Sequence, residues 1–221
     1  SNHVLIDSQY AGIINSSGIV SLNTKGSNSI TSQGNYGVHA SASANIGGTI
    51  NIIASENYDA NVGNSSLQAQ AGYDNIIFGV QGIHSEYDGT INVIADNNNI
   101  IGGRSAYSIY DTNRADNSKQ EDIINITAGN NNYIGYKVKG ENELSTSGTR
   151  GIYVYDEKDS QINITSIAGE TNIYGSGNGI NMSNSENSTV KVTAGTDINI
   201  LSKVNGIDVS GKYNSEVTNN T

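Results

Sequence analysis

The sequence has no proline, no cysteine and no tryptophan, with one phenylalanine and one methionine among 221 residues. A soluble chain of this length ordinarily carries about 11 prolines, so the architecture itself excludes that residue. Without cysteine there is no disulfide framework and no thiolate metal site, and a chain this long folds without either. Charge is sparse too, at 14% of residues against a usual share of about 25%. What charge there is leans acidic: 21 Asp and Glu face 11 Lys and Arg, for a formal net charge of −10. That balance argues against nucleic acid and anionic membrane surfaces as partners. No apolar run approaches the ~18–20 residues of a membrane span, so no direct membrane insertion is expected. Ser1-Asn2 lacks the basic and apolar regions that open a signal peptide.

In place of the missing residues stand 33 Asn and 26 Gly. Low charge with abundant Gly, Ser and Asn suggests disorder, but disordered segments lack the short β-branched triplets that recur all along this chain. The triplets repeat. A first anchor, Gly followed by an apolar residue, occurs at Gly12-Ile13, Gly37-Val38, Gly82-Ile83, Gly151-Ile152, Gly179-Ile180 and Gly206-Ile207. Ala106-Tyr107 fills the missing slot if Tyr107-Ser108-Ile109-Tyr110-Asp111 aligns with Ile152-Tyr153-Val154-Tyr155-Asp156. The spacings are then 25, 45, 24, 45, 28 and 27. A second anchor reads Thr49-Ile50-Asn51-Ile52, Thr90-Ile91-Asn92-Val93, Ile123-Ile124-Asn125-Ile126, Gln161-Ile162-Asn163-Ile164 and Thr189-Val190-Lys191-Val192. A third includes Asn75-Ile76-Ile77, Asn99-Ile100-Ile101 and Asn172-Ile173-Tyr174.

Three short strands per unit of about 25 residues, with no helical periodicity, specify an all-β solenoid: a single-stranded parallel β-helix. About seven three-strand coils follow, stacked at ~4.8 Å per coil. The two long steps are read as loop-bearing coils, with one insertion between Ala54 and Asn75 and another divided between Thr112–Gln120 and Tyr136–Thr149. Proline is excluded because nearly every strand residue has a coil above and below, and proline deletes a ladder hydrogen bond. Alternation sends Ile162 and Ile164 inward with their counterparts and aligns Asn51, Asn92, Asn125 and Asn163 in an outward amide ladder broken by Lys191. Gly and Asn at the corners are expected to supply positive φ.

Few residues carry chemistry. His39 and His84 take the same outward slot in neighbouring units; the pair also suits a weak metal site, but the expectation is surface side chains in register, with no metal and no cofactor. Acidic residues gather just after the first-anchor strand, at Glu86, Asp88, Asp111, Asp116, Asp156, Glu157, Asp159 and Glu186. Stacking would align them along one edge of the rod. Such carboxylates serve calcium or acid–base chemistry in polysaccharide-active enzymes, but a lyase also needs a basic residue nearby and the chain has three arginines, Arg104, Arg114 and Arg150. A solvated acidic edge is the simpler expectation, and no catalytic residue is assigned. The 13 tyrosines are more suggestive. Tyr153 and Tyr155 point outward and Tyr110 is expected to stack on Tyr155. Aromatic rings flanked by Asp and Asn suit recognition of carbohydrate or protein, so Tyr110, Tyr153, Tyr155, Asp111, Asp156 and Asp159 are the candidate ligand-binding residues.

The recurrent G-I-x-V, [TQ]-I-N-I-[TI] and N-I-x-G triplets, in Asn-, Ser- and Gly-rich surroundings, resemble the passenger domains of bacterial autotransporters and related large surface adhesins. The resemblance spans the whole chain. It implies a right-handed β-helix, a C-terminal translocator barrel in the parent chain, and display at the bacterial cell surface or release outside the cell. It also implies a non-enzymatic adhesin function, with a host or bacterial surface protein or a glycan as partner. Val4-Leu5-Ile6 and Val217-Thr218 both fall within repeats, so residues 1–221 read as one β-helix domain belonging to a longer solenoid. A polysaccharide lyase or glycoside hydrolase on the same fold, and a bare structural spacer, are the alternatives.

Overall fold

Short Ile- and Val-rich runs, each ended by Asn, Gly, Ser or Asp, are good strands with no partner inside their own repeat, so each pairs with its counterpart one repeat away. The computed structural model describes residues 3–43, 46–57, 69–86, 89–112, 121–138, 143–146, 150–155, 158–210 and 216–220. They form 23 strands, two in a hairpin and the rest in seven three-strand coils of a parallel β-helix.

The first face stacks Val4–Ser8, Asn28–Ser32, Asn75–Gly79, Asn99–Gly103, Asn132–Ile134, Thr171–Gly175 and Ile198–Ser202. The second stacks Ala11–Asn15, Tyr36–Ser43, Gln81–Glu86, Tyr107–Thr112, Arg150–Tyr155, Ile180–Ser183 and Ile207–Ser210. The third stacks Gly18–Thr24, Ile46–Ala54, Thr90–Ala95, Ile123–Ala128, Gln161–Ser166, Thr189–Thr193 and Glu216–Asn220. Pairing within each face is parallel, and a short antiparallel contact, Ala42 with Gly47 and Ser43 with Ile46, joins the second face to the third.

The lumen is lined with stacked aliphatic side chains. Ile30, Ile77, Ile101, Ile134 and Ile173 form one column, Val38, Ile83, Ile109, Ile152 and Ile180 a second, and Ile50, Ile91, Ile124, Ile162 and Val190 a third, all of them buried. Burying each such side chain contributes about 1.5–3 kcal/mol. Outside, the expected amide ladder is present: Asn92 donates to Asn51 at 2.8 Å, Asn125 to Asn92 at 2.9 Å and Asn163 to Asn125 at 3.0 Å. Lys191 follows in register.

A second amide ladder lies inside. Asn28, Asn75, Asn99 and Asn132 open successive strands of the first face and are fully buried. Asn28, Asn75 and Asn99 each donate one amide proton to the next Asn side-chain oxygen, at 2.9, 3.0 and 3.0 Å, and Asn132 donates to Ser166 Oγ at 2.9 Å. The other proton goes to a third-face carbonyl of Ile53, Ile94, Thr127 or Thr165. These side chains fasten the corner between the third and first faces, which residues read as turn punctuation were not expected to do.

Anchor glycines serve close approach. A Cβ on Gly37 would lie 2.6 Å from the Gly82 carbonyl oxygen, and one on Gly82 would lie 2.6 Å from that of Ser108. Positive φ among the described residues falls elsewhere, at Gly18, Gly72, Gly135, Asp159, Asn184 and Asn187. The fourth coil differs from the sequence expectation. Ser108-Ile109 occupies its anchor slot, because Ile109 pairs with Ile83 and with Ile152. The middle spacings are therefore 26 and 43 residues. The long steps add no further coil among the described residues, and the stretches 58–68 and 113–120 lie outside those residues. One step runs from Ala54 to Asn75; the other includes the hairpin Tyr136–Val138/Leu144–Thr146.

Candidate functional site

Strand alternation and constant register bring one outward column of the second face together from seven coils: Ile14, His39, His84, Tyr110, Tyr153, Asn181 and Asp208. Neighbouring coils rise by about 4.8 Å, so aromatic rings in register meet close to stacking distance. His39 and His84 stack at 4.6 Å and 6°, His84 and Tyr110 at 4.9 Å and 17°, and Tyr110 and Tyr153 at 5.7 Å and 5°. Tyr107 and Tyr36, from the adjoining column, close on this line. Tyr107 lies 4.6 Å from Tyr110 and 4.9 Å from Tyr153, and Tyr36 lies 4.4 Å from His39. Tyr155 ends the ribbon, 5.9 Å from Tyr153. Each such pair contributes about 0.5–1.5 kcal/mol beyond area burial.

Arg150 fixes the distal part. Its guanidinium lies 4.8 Å from the Tyr153 ring centroid and 5.3 Å from that of Tyr107, and Nη1 donates to the Tyr107 hydroxyl at 2.8 Å. Burial raises the Tyr107 hydroxyl above the ordinary tyrosine value, against the opposing pull of Arg150. Rings stacked along the axis cover one another's faces, and Tyr36, Tyr107, Tyr110 and Tyr153 are half-buried. Tyr155 is 40% exposed. Its partner in the next coil is Ser183, too small to cover an aromatic ring, so one face of the Tyr155 ring is left open to solvent.

Tyr110, Tyr153 and Tyr155 are thus brought together, with one correction: Tyr110 is in register with Tyr153, and Thr112 with Tyr155. The two-residue shift follows from Ser108 standing in the glycine slot. It also moves Asp111, which pairs with Val154 and so points into the lumen, where it is fully buried. Asp111 is not on the outward face. Asp156 lies outside the described residues, as do Asp88, Asp116 and Glu157. Asp159 sits at the corner between the second and third faces with φ 59°, its backbone N–H donating to the Glu186 carbonyl at 2.9 Å. Lys158 and Glu186 pair beside it at 3.4 Å.

Inside that corner is a pair of carboxyls that the sequence did not reveal as a pair. Asp111 and Asp122 are neighbours there and are 0% and 1% exposed. Ser160 Oγ also donates to Asp111, and the Gly89 N–H donates to Asp122. Burial raises the Asp111 carboxyl to about 6, against the hydrogen bond from Ser160. Burial and the neighbouring Asp111 hold Asp122 well above the usual carboxylate range. Two adjacent carboxyls in an apolar lumen share a proton because both cannot ionise there at modest cost. Enclosed in this way, the pair has no path to a polymeric substrate.

A smaller aromatic group lies on the first face. Tyr136, from the hairpin, sits 5.7 Å from Tyr133 and 6.3 Å from Tyr174. The hairpin roofs a groove of about 300 Å³ lined by Ile76, Phe78, Ile100, Tyr136 and Val138. Arg104 bridges coils near this face, donating to the Gln33 carbonyl at 2.9 Å and to the Ser32 carbonyl at 3.2 Å. The chain matches no protein family, no characterised protein and no solved structure with which it was compared.

Proposed function

We propose that the protein is a non-enzymatic recognition scaffold displayed at the bacterial surface, with the aromatic ribbon of the second face as its binding surface. The observation that carries this reading is the continuous stack from Tyr36 through His39, His84, Tyr110 and Tyr153 to Tyr155. A ladder of backbone hydrogen bonds holds these rings rigidly, so little conformational entropy is lost when they meet a partner. Aromatic side chains with polar tips suit either the C–H face of a sugar or a protein surface. The resemblance of the triplets to autotransporter passengers supports surface display, with the translocator barrel elsewhere in the parent chain and a glycan or surface protein as partner. The buried acid pair favours binding over hydrolysis, because Asp111 and Asp122 face the lumen.

The test is a panel of immobilised glycans and matrix proteins probed with the protein and with a Tyr153→Ala/Tyr155→Ala variant. Specific binding that the variant loses supports the reading. Absence of binding by the parent protein makes the rod a spacer. Binding retained by the variant moves the site off this face.

A further inference from the structure

We propose that His39, His84 and Glu86, on two neighbouring coils of the second face, form a binding site for a divalent transition metal of the zinc class. The two histidines are Cα partners in a parallel ladder, so the backbone fixes their separation. Glu86 follows His84 by two residues on the same strand and therefore shares its outward side. One ligand atom from each residue lies within 4.8 Å of the others, and His39 Nε2 is 3.3 Å from Glu86 Oε2. In a tetrahedral site with metal–ligand bonds of about 2.05 Å, ligand atoms are separated by about 3.3 Å. The His39–Glu86 pair already has that spacing.

Two imidazoles and one carboxylate are the donor set of a three-ligand zinc site whose fourth position belongs to water. Nitrogen donors favour Zn²⁺, Ni²⁺ or Cu²⁺ over Ca²⁺ or Mg²⁺. The His39 and Glu86 side chains are 12% and 14% exposed, enough for an ion to enter from solvent. Tyr36 and Tyr110 wall the site on either side, at 4.4 Å from His39 and 4.9 Å from His84. Two rings lying 6° from parallel do not aim their lone pairs at one point, so coordination requires one imidazole to turn. His39 is the ring that turns, because His84 is 3% exposed and held against Tyr110. Metal uptake thereby exchanges the His39–His84 stack for coordination and stiffens the proximal end of the ribbon.

The experiment is calorimetric titration of the metal-stripped protein with ZnCl₂, together with visible absorption after loading with Co²⁺. One Zn²⁺ per chain and a tetrahedral Co²⁺ spectrum are expected. His39→Phe keeps a ring in the stack and removes a ligand. Glu86→Gln keeps the shape and removes the charge. Each should weaken Zn²⁺ binding by more than about tenfold, since even outer-shell partners of a metal contribute about 10–100-fold. Circular dichroism of both variants checks the fold. Absence of stoichiometric Zn²⁺ uptake overturns the proposal, and so does His39→Phe binding Zn²⁺ as tightly as the parent, which would place the ion among surface carboxylates.

Discussion

The Asp111–Asp122 pair makes stability depend on pH in a direction that the rest of the lumen does not. A free aspartate titrates near 3.8, whereas burial raises Asp111 to about 6. Between those values the unfolded chain has released a proton that the folded chain retains. Stability therefore falls as pH rises through this interval, by about 3 kcal/mol at about 1.4 kcal/mol per pH unit. Below pH 3.8 both states are protonated at Asp111 and this penalty is absent; above about 6 it is complete. Asp122, also held well above the usual carboxylate range by burial and by Asp111, adds to the decline with the same sign. Asp111→Asn removes one ionisable group while leaving an amide able to donate to Asp122 and accept from Ser160. Urea unfolding of the parent and this variant at pH 4.5, 6 and 8 gives the test. The variant should gain on the parent as pH rises, ending about 1–3 kcal/mol more stable at pH 8. A stability difference that is flat across the series, or that favours the parent more strongly at high pH, would refute the shared-proton account.

Two further substitutions separate the inner polar ladder and the close-packed corners from the surface. Asn99→Ala takes the amide that donates to the Thr127 carbonyl and to Asn132, leaving buried acceptors unsatisfied at a cost of about 2–4 kcal/mol. Asn125→Ala, in the outer ladder where water can replace the lost bonds, should cost about 0.5–1.5 kcal/mol; equal denaturation midpoints for the two would contradict the inner ladder's role. Gly82→Ala drives a methyl against the Ser108 carbonyl oxygen at 2.6 Å and should lower stability by about 1–3 kcal/mol or more, seen as a depressed thermal midpoint.

Much of this fold is legible because a parallel stack makes identical demands on every coil. The inward Ile and Val columns, the outward Asn51–Asn163 ladder, the exclusion of proline and the loop-bearing steps all follow from strands that repeat in register. Legibility failed where one coil broke the pattern. Ser108 replaces the anchor glycine, and Ile109-Tyr110-Asp111 mimics Val154-Tyr155-Asp156 two residues out of register, so the sequence aligns Tyr110 with Tyr155 and Asp111 with Asp156. A two-residue shift preserves the alternation of faces and leaves no hydropathic signal to flag it. For Asp111 the shift carried it from the exposed corner into the strand, where its side chain turns to the lumen. The inner ladder did leave a trace: Asn75 and Asn99 each stand one residue before an Ile pair. Asn at a strand end reads equally as a turn residue, and only the backbone path shows its amide turned inward. Glu86 gives no sequence signal as a companion of the histidines because its contact with His39 is diagonal between coils.

The register of the aromatic face is the claim on which the ribbon, the buried acid and the proposed binding surface all depend, and cysteine pairing tests it directly in a chain that has no cysteine of its own. Residues in register on adjacent parallel strands are about 4.8 Å apart at Cα, within disulfide range. A partner two residues further along is about 8 Å away, beyond the ~7 Å limit. Tyr110→Cys/Tyr153→Cys should therefore oxidise to an intramolecular disulfide under mild conditions, while Tyr110→Cys/Tyr155→Cys should remain reduced. Rapid closure of the second pair and not the first would contradict the account.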